Sequence, residues 1–211
     1  KALVRGAVEI DSEAGPSEVL VLADASTNPR FAAAELFAQA EHDEEAMCLL
    51  VADNERTADA VAAVVDSELP ALRRAGIASR ALEELGMLIV ARSAQEAVDL
   101  ANFIAPEHLS VQTRDPEATA AQIRNAGAVM VGPMTPVAVG DYIAGPNHVL
   151  PTMRRARFSS PLTAEDFRKV TSYIKYSEER LRAQGVDIVR LAELEGLEAH
   201  ARSVTARLEE S

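Results

Sequence analysis

Short hydrophobic stretches alternate with longer stretches of helical pattern along most of the chain. The hydrophobic stretches predict strands over residues 18–23, 47–52, 87–91, 109–113 and 128–132. The segments between them predict helices over residues 29–42, 54–67, 77–85, 93–104 and 116–125, with Asn28 and Asn54 as N-caps. Strands that alternate with helices are typical of βαβ units and of a mainly parallel sheet. The predicted fold class is therefore α/β.

The pattern changes after residue 132. Residues 132–158 hold four prolines and three glycines, which predicts a long loop of the kind that often carries function. A short helix is predicted near Thr163, followed by an alternating stretch over residues 170–176. From Ser177 onward we expect two charged helices, broken near Gly185 and Gly196, with little core of their own. They must pack on the main domain or on a partner subunit.

These patterns divide the chain into three parts. Residues 1–152 form the α/β region, residues 153–176 a connecting segment, and residues 177–211 a C-terminal helical segment. A chain of 211 residues is long enough to bury a sizeable core.

Composition narrows the classes of partner. Lys and Arg number 21 against 33 Asp and Glu, and the net charge of −12 argues against a nucleic-acid or anionic membrane surface. No apolar run approaches the ~18 residues that a membrane span needs. One cysteine, Cys48, excludes an intramolecular disulfide and a Cys-rich zinc module. No export signal precedes the first predicted strand, so we expect a cytoplasmic protein.

A pair of side chains near the end of the first predicted helix could bind a metal. Gln39 and His42 are three residues apart, which would put an amide oxygen and an imidazole nitrogen on one helix face. Because no cysteine thiolate is at hand, the ion would have only nitrogen and oxygen ligands. Zinc or a similar divalent ion accepts such a set. Asp141 and His200 are candidates for two further ligands. The spacing alone leaves an ordinary polar helix end open as the alternative.

Glu107 and His108 lie between a predicted helix and a strand. Strand ends in α/β domains usually bind ligands, so the two could form an acid–base pair in which the imidazole accepts a proton and the carboxylate activates water. Equally, Glu107 could cap a helix or form a salt bridge while His108 merely begins the strand. Ser17 could bond a ligand or could only form a β-turn. Neither a G-x-G-x-x-G loop nor a Walker loop is present.

Taken jointly, several segments resemble the histidinol dehydrogenase family. They are AGPSEVL (residues 14–20), QAEH (39–42), PEHL (106–109), GDY (140–142), GPNHVLPT (145–152), and the terminal residues 195–200 and 204–207. Their order and spacing resemble the family from end to end of this chain, which corresponds to roughly the C-terminal half of the family's length. The Gly145-Pro146-Asn147 sequence is a small local departure that leaves His148 in place.

The resemblance implies an NAD-dependent zinc enzyme with one Zn²⁺ per subunit. Such an enzyme oxidises L-histidinol through L-histidinal to L-histidine, the last step of histidine biosynthesis. The implied fold is a Rossmann-like parallel sheet with flanking helices that is incomplete without the N-terminal half, and the C-terminal helices imply a dimerisation segment. Most NAD contacts would lie in the missing half, which could be a separate chain, so we name no cofactor-binding residues.

The resemblance also implies roles for individual residues. It implies that His108 takes the alcohol proton and that Glu107 activates the water that hydrates the aldehyde. The implied zinc ligands are Gln39, His42, Asp141 and His200. The implied substrate contacts are these four, the acid–base pair, and Ser17, His148 and Glu195. His200 and Glu195 would come from the other subunit of a homodimer.

The sequence leaves two alternatives to the dehydrogenase, or to its C-terminal half. The first is a non-catalytic zinc- or imidazole-binding domain derived from the same fold. The second is a zinc hydrolase in which Glu107 activates metal-bound water. The hydrolase would act without NAD, whereas the dehydrogenase would reduce NAD with histidinol. The retained zinc, base and substrate residues favour the dehydrogenase, whereas the missing cofactor half favours inactivity of this chain by itself.

Overall fold

A computed structural model describes residues 1–13 and 15–209, so Ala14 of the AGPSEVL segment lies outside the described residues. The chain divides into two compact units, Lys1–Phe167 and Arg168–Ser211. No helix in the described ranges is long and apolar enough to cross a membrane. The predicted three-part division of the chain stays a prediction.

The first unit is built on a parallel sheet. Its strands are β1 (Glu18–Ala23), β2 (Met47–Ala52), β3 (Met87–Val90), β4 (His108–Gln112) and β5 (Ala128–Val131). Their order in the sheet is β3-β2-β1-β4-β5, with every neighbouring pair parallel. The strand order reverses between β1 and β4, as in a Rossmann-like fold. The predicted α/β class is confirmed.

Helices connect the strands and cover both faces of the sheet. They are α1 (Pro29–Ala40), α2 (Glu55–Glu68), α3 (Ala75–Leu85), α4 (Ala94–Ile104), α5 (Pro116–Ala120) and α6 (Val137–Tyr142). The Asn28 and Asn54 side chains accept backbone N–H groups at the starts of α1 and α2, which confirms both predicted N-caps. Apolar side chains on each face form a separate buried cluster, and β1 between them is buried along its whole length.

Apart from differences of one or two residues at the ends of elements, such as α1 ending at Ala40 and not at residue 42, two predictions for the first unit were wrong. Helix α5 ends at Ala120 instead of continuing to residue 125, because the Asn102 carboxamide oxygen accepts the N–H groups of Arg124 and Asn125 and holds that segment in a turn. The predicted loop over residues 132–158 contains helix α6, whose first N–H bonds the carboxylate of Glu35. Both differences arise from side chains distant in sequence.

The second unit contains α7 (Glu178–Leu194) and α8 (Glu198–Glu209). The predicted break at Gly196 is confirmed, since this residue has a φ of 73°. The predicted break at Gly185 is wrong: α7 runs through it, and a Cβ there would lie 2.7 Å from Leu208 Cδ1. Gly185 therefore permits close packing of the two helices. Residues 170–176 are exposed and form no strand.

Candidate active site

Glu107 and His108 lie at the amino edge of the sheet. His108 is the first residue of β4 and pairs with Val19, near the start of β1. The pair lies between a helix and a strand, as the sequence predicts, but this is the amino edge, whereas ligands of open α/β sheets usually bind at the carboxyl edge. At the carboxyl edge, a cavity of about 300 Å³ is lined by Asp24, Asp53 and Arg114, but by none of the predicted site residues.

The two nitrogens of the His108 imidazole have different surroundings. Nδ1 lies 3.1 Å from the backbone oxygen of Glu18. A carbonyl oxygen only accepts hydrogen bonds, so Nδ1 carries the proton and Nε2 keeps its lone pair. Nε2 is buried, has no hydrogen-bond partner among the described residues, and lies 3.6 Å from Asp141 Oδ1. The free lone pair makes Nε2 suited to accept a proton.

Burial sets the charge of His108. The side chain is 6% exposed, and burial lowers its pKa, while the nearby Asp141 carboxylate acts in the opposite direction. The charge of His42 also lowers this pKa. A neutral imidazole at neutral pH is the form that a general base requires.

Glu107 is a buried carboxyl group beside this imidazole. Its Oε2 accepts the N–H of Glu18 at 2.9 Å and lies 3.5 Å from Nδ1 of His108. Burial raises the pKa of Glu107 to about 7, and the negative charges of Glu18 and Asp141 act in the same direction. The group can therefore exchange a proton near neutral pH, as the predicted acid–base role requires.

Helices α1 and α6 bring further predicted residues to this edge. Gln39 is buried in the last turn of α1, and His42 is exposed two residues beyond its end. Asp141 lies on α6, which packs against α1. Glu35, one turn before Gln39, is buried and its Oε2 accepts the N–H of Val137 at 3.0 Å. This bond ties the start of the helix that carries Asp141 to the helix that carries Gln39.

No described contact joins the remaining predicted site residues to the Glu107–His108 pair, to Gln39 or to Asp141. Ser17 is half-buried and directly precedes β1. His148 is exposed in the segment between α6 and Thr152, whose Oγ1 accepts the N–H of Gly15 at 2.7 Å. Glu195 and His200 are exposed in the second unit, at the end of α7 and on α8.

Sequence reasoning missed Glu18 and Glu35. Both are buried carboxylates whose partners are backbone N–H groups more than eighty residues away in sequence. The available signal was a charged residue inside an apolar stretch: Glu18 begins the fully buried EVLVLA strand, and Glu35 sits among alanines and Leu36. An ionised side chain is rarely buried without hydrogen-bond partners, so a partner could be expected for each of these two glutamates.

The chemistry of the candidate ligands fits zinc. Gln39, His42 and Asp141 offer an amide oxygen, an imidazole nitrogen and a carboxylate oxygen, a donor set that zinc accepts. Within residues 1–13 and 15–209, no three His, Cys, Asp or Glu side chains are grouped so as to hold a metal. The candidate set has only two such residues in the first unit, because one ligand is an amide and His200 belongs to the second unit.

Comparison with known proteins identifies the family of the chain. The family model described as histidinol dehydrogenase matches residues 1–208. The chain belongs to the histidinol dehydrogenase family. The histidinol dehydrogenase of Nitrobacter winogradskyi is 52% identical over 208 residues, which are 99% of this chain and 48% of that protein. The histidinol dehydrogenase of Halalkalibacterium halodurans is 49% identical over 210 residues, 100% of this chain and 50% of that protein.

A solved structure supports the same assignment. The crystal structure of histidinol dehydrogenase from Elizabethkingia anophelis superimposes with a TM-score of 0.88 at 37% sequence identity, over 96% of this chain and 47% of that one. The chain thus spans about half the length of the histidinol dehydrogenases that it matches. The family resemblance and the Rossmann-like fold expected from the sequence are confirmed.

Proposed function

We propose that this chain carries the acid–base and zinc-binding residues of a histidinol dehydrogenase. The proposed reaction is the NAD-dependent oxidation of L-histidinol through L-histidinal to L-histidine, which ends histidine biosynthesis. The observation that carries the proposal is the His108 imidazole, whose Nδ1 is held by the Glu18 carbonyl while its buried Nε2 remains free beside Asp141. Membership of the histidinol dehydrogenase family supports histidinol as the substrate.

In the first oxidation, Nε2 of His108 accepts the hydroxyl proton of histidinol, and the carbon that bears this hydroxyl group loses a hydride. When bound, NAD would supply the nicotinamide that accepts this hydride. The Nδ1–H bond to Glu18 keeps the ring oriented as the proton arrives and stabilises the imidazolium that forms. Burial lowers the pKa of the ring, which favours release of that proton before the next step.

In the second oxidation, the Glu107 carboxylate takes a proton from the water that adds to the aldehyde carbon. The resulting diol monoanion gives up the hydride of that carbon, for which NAD would be the acceptor, and a proton to Nε2 of His108, which leaves the carboxylate of histidine. A carboxyl group with a pKa of about 7 can accept the water proton and release it again near neutral pH. The pair therefore supplies the base and the water activator that two oxidations at one carbon require.

Gln39, His42, Asp141 and His200 would hold the zinc. When bound, zinc would supply a Lewis acid that orients the substrate's amine and imidazole or polarises its oxygen. The proposal includes Ser17, His148 and Glu195 as substrate contacts, and a cytoplasmic homodimer in which His200 and Glu195 serve the site of the other subunit. No observation favours a zinc hydrolase or a non-catalytic domain.

The test is histidinol-dependent NADH formation by the protein as its host produces it, with intact mass measured on the same sample. We expect two NADH for each histidinol consumed, and histidine as the product. Turnover without NAD would contradict the proposal and favour the hydrolase. Zinc binding without turnover in a protein that contains both halves of the family length would favour the non-catalytic domain.

A further inference from the structure

We propose that Glu18 is a positioning residue that fixes the relative geometry of His108, Glu107 and the segment leading from His148. The inference rests on the proposed function, because it assigns Glu18 to the same site. Glu18 does not face a substrate: it is 4% exposed and acts only through its neighbours.

The main chain of Glu18 contacts both members of the acid–base pair. Its N–H donates to Oε2 of Glu107 at 2.9 Å, and its carbonyl oxygen accepts from Nδ1 of His108 at 3.1 Å. One residue thus restrains the carboxylate and selects the imidazole tautomer. Because Oε2 of Glu107 accepts the N–H of Glu18, Oε1 is the oxygen of Glu107 that is available to water.

The side chain of Glu18 adds two bonds that the main chain cannot make. Oε2 accepts the N–H of Glu107 at 3.2 Å, and Oε1 accepts the N–H of Met153 at 2.8 Å. Glu18 and Glu107 therefore bond each other reciprocally, side chain to main chain. The Met153 bond anchors the end of the segment that begins after α6 and contains His148. Met153 has a φ of 54°, a conformation that needs such restraint in a non-glycine residue.

A carboxylate is the group that this arrangement requires. Two N–H donors converge on its two oxygens, and glutamine would offer one oxygen to one donor and an NH₂ group to the other. Burial raises the pKa of Glu18, and the two N–H groups oppose that rise by stabilising the ionised form. If the first position of β1 served only to be buried, an apolar residue would be more stable there, since an ionised side chain is costly to bury.

The other end of β1 offers a matched control. Asp24 directly follows β1, and its Oδ2 accepts the N–H of Arg114 at 2.7 Å, while its Oδ1 accepts the N–H of Ser26 at 2.7 Å. Each carboxylate therefore joins one end of β1 to a residue that flanks β4: Glu18 to Glu107 before the strand, and Asp24 to Arg114 after it. Only Glu18 contacts the acid–base pair.

The experiment compares Glu18→Gln with Asp24→Asn in the protein as its host produces it. Steady-state oxidation of histidinol and hydrogen exchange at individual amides are both measured. We expect Glu18→Gln to lower kcat by about 10- to 100-fold, with a smaller change in KM, as for other residues that orient a reactive group. The amides of Glu107 and Met153 should exchange faster in this variant alone. Asp24→Asn should keep kcat near the wild-type value.

Unchanged kcat in Glu18→Gln, or an equal loss in both variants, would overturn the inference. If Glu18→Gln does not fold, Glu18→Asp replaces it: two acceptor oxygens remain but one methylene is lost, so kcat should fall and the Glu107 amide should exchange faster. Wild-type behaviour of Glu18→Asp in both measurements would then overturn it. A wild-type protein without histidinol turnover contradicts the proposed function, whereas the exchange measurement still tests the role of Glu18.

Discussion

The position of one proton decides which nitrogen of His108 can act as a base. Because the Glu18 carbonyl accepts from Nδ1, the lone pair is on Nε2, the nitrogen nearer Asp141. The sequence placed an imidazole beside a carboxylate but could not assign the tautomer. The assignment requires a partner ninety residues away, and that partner is known only from the sheet register.

Replacing His108 with glutamine should separate proton transfer from metal binding. His108→Gln keeps a polar side chain of similar size but removes the imidazole nitrogen that accepts the proton. We expect oxidation of histidinol to slow by about 10²- to 10⁴-fold, the usual contribution of a general base, with zinc content unchanged. Rapid-quench kinetics and metal analysis on the same sample would check this. Full turnover in the variant would exclude His108 as the base.

Glu107 should make the stability of the protein depend on pH. Its pKa is about 7 in the folded chain, above its ordinary value of 4.5, so the folded state holds a proton that the unfolded state has lost between these pH values. Its contribution to the free energy of unfolding is therefore complete below pH 4.5 and is lost as the pH rises through 7.

The Glu107→Gln variant lacks this titration. Between pH 4.5 and 7, its free energy of unfolding should decline less than that of the wild type, by a difference on the order of 3 kcal/mol. Urea unfolding of the metal-free chain at several pH values would measure it. Glu18 and Glu35 also have raised pKa values but are present in both proteins. Parallel pH profiles would contradict the raised pKa of Glu107.

At the scale of elements, local patterns were enough for every strand and for most helices. The alternation of apolar stretches and capped helices predicted the βαβ units because each feature lies within a few neighbouring residues. Helix α6 was missed because a six-residue helix between prolines has little periodicity, and its first N–H is satisfied by Glu35 on a distant helix. The position of Glu107 and His108 before β4 followed from the sequence, but the side chains that meet them there, such as Asp141, come from distant segments and did not.

Packing of the β4–β5 connection against Glu107 can be tested through Gly127. A Cβ on Gly127 would lie 2.5 Å from the backbone oxygen of Glu107, an atom held in the sheet and unable to move aside. Gly127→Ala should therefore lower the free energy of unfolding by about 1–3 kcal/mol.

The matched control is Gly76→Ala in α3, where nothing lies within 4 Å of the added Cβ. This change should raise the free energy of unfolding by about 0.4–1 kcal/mol, because alanine favours the helix and restricts the unfolded chain. Chemical unfolding of both variants gives the comparison. Equal effects of the two substitutions would show that the close approach at Gly127 does not constrain Glu107.

At the scale of the whole molecule, the sheet has apolar outer strands. Side chains of Met87, Leu88 and Val90 on β3 and of Val129 and Val131 on β5 are exposed. Exposed apolar strands at sheet edges usually mark surfaces that another segment or chain covers.

The homodimer in the proposed function makes a specific prediction about His200. His42→Ala and His200→Asn should each lower zinc content and activity when prepared alone, because each change removes one proposed ligand. Retained stoichiometric zinc in both would contradict the ligand assignment. The sequence could nominate His200 only through its resemblance to the family, since no local pattern connects a helix near the C-terminus to α1.

Mixing the two variants tests whether His200 serves the other subunit. A hybrid dimer has one site that lacks both ligands and one site in which His42 and His200 are both intact, each from a different chain. Random pairing after co-refolding makes half of the dimers hybrid, so about a quarter of the wild-type sites should be restored. If His200 served its own subunit, every site in the mixture would lack one ligand, and neither zinc content nor NADH formation would rise above that of the separate variants.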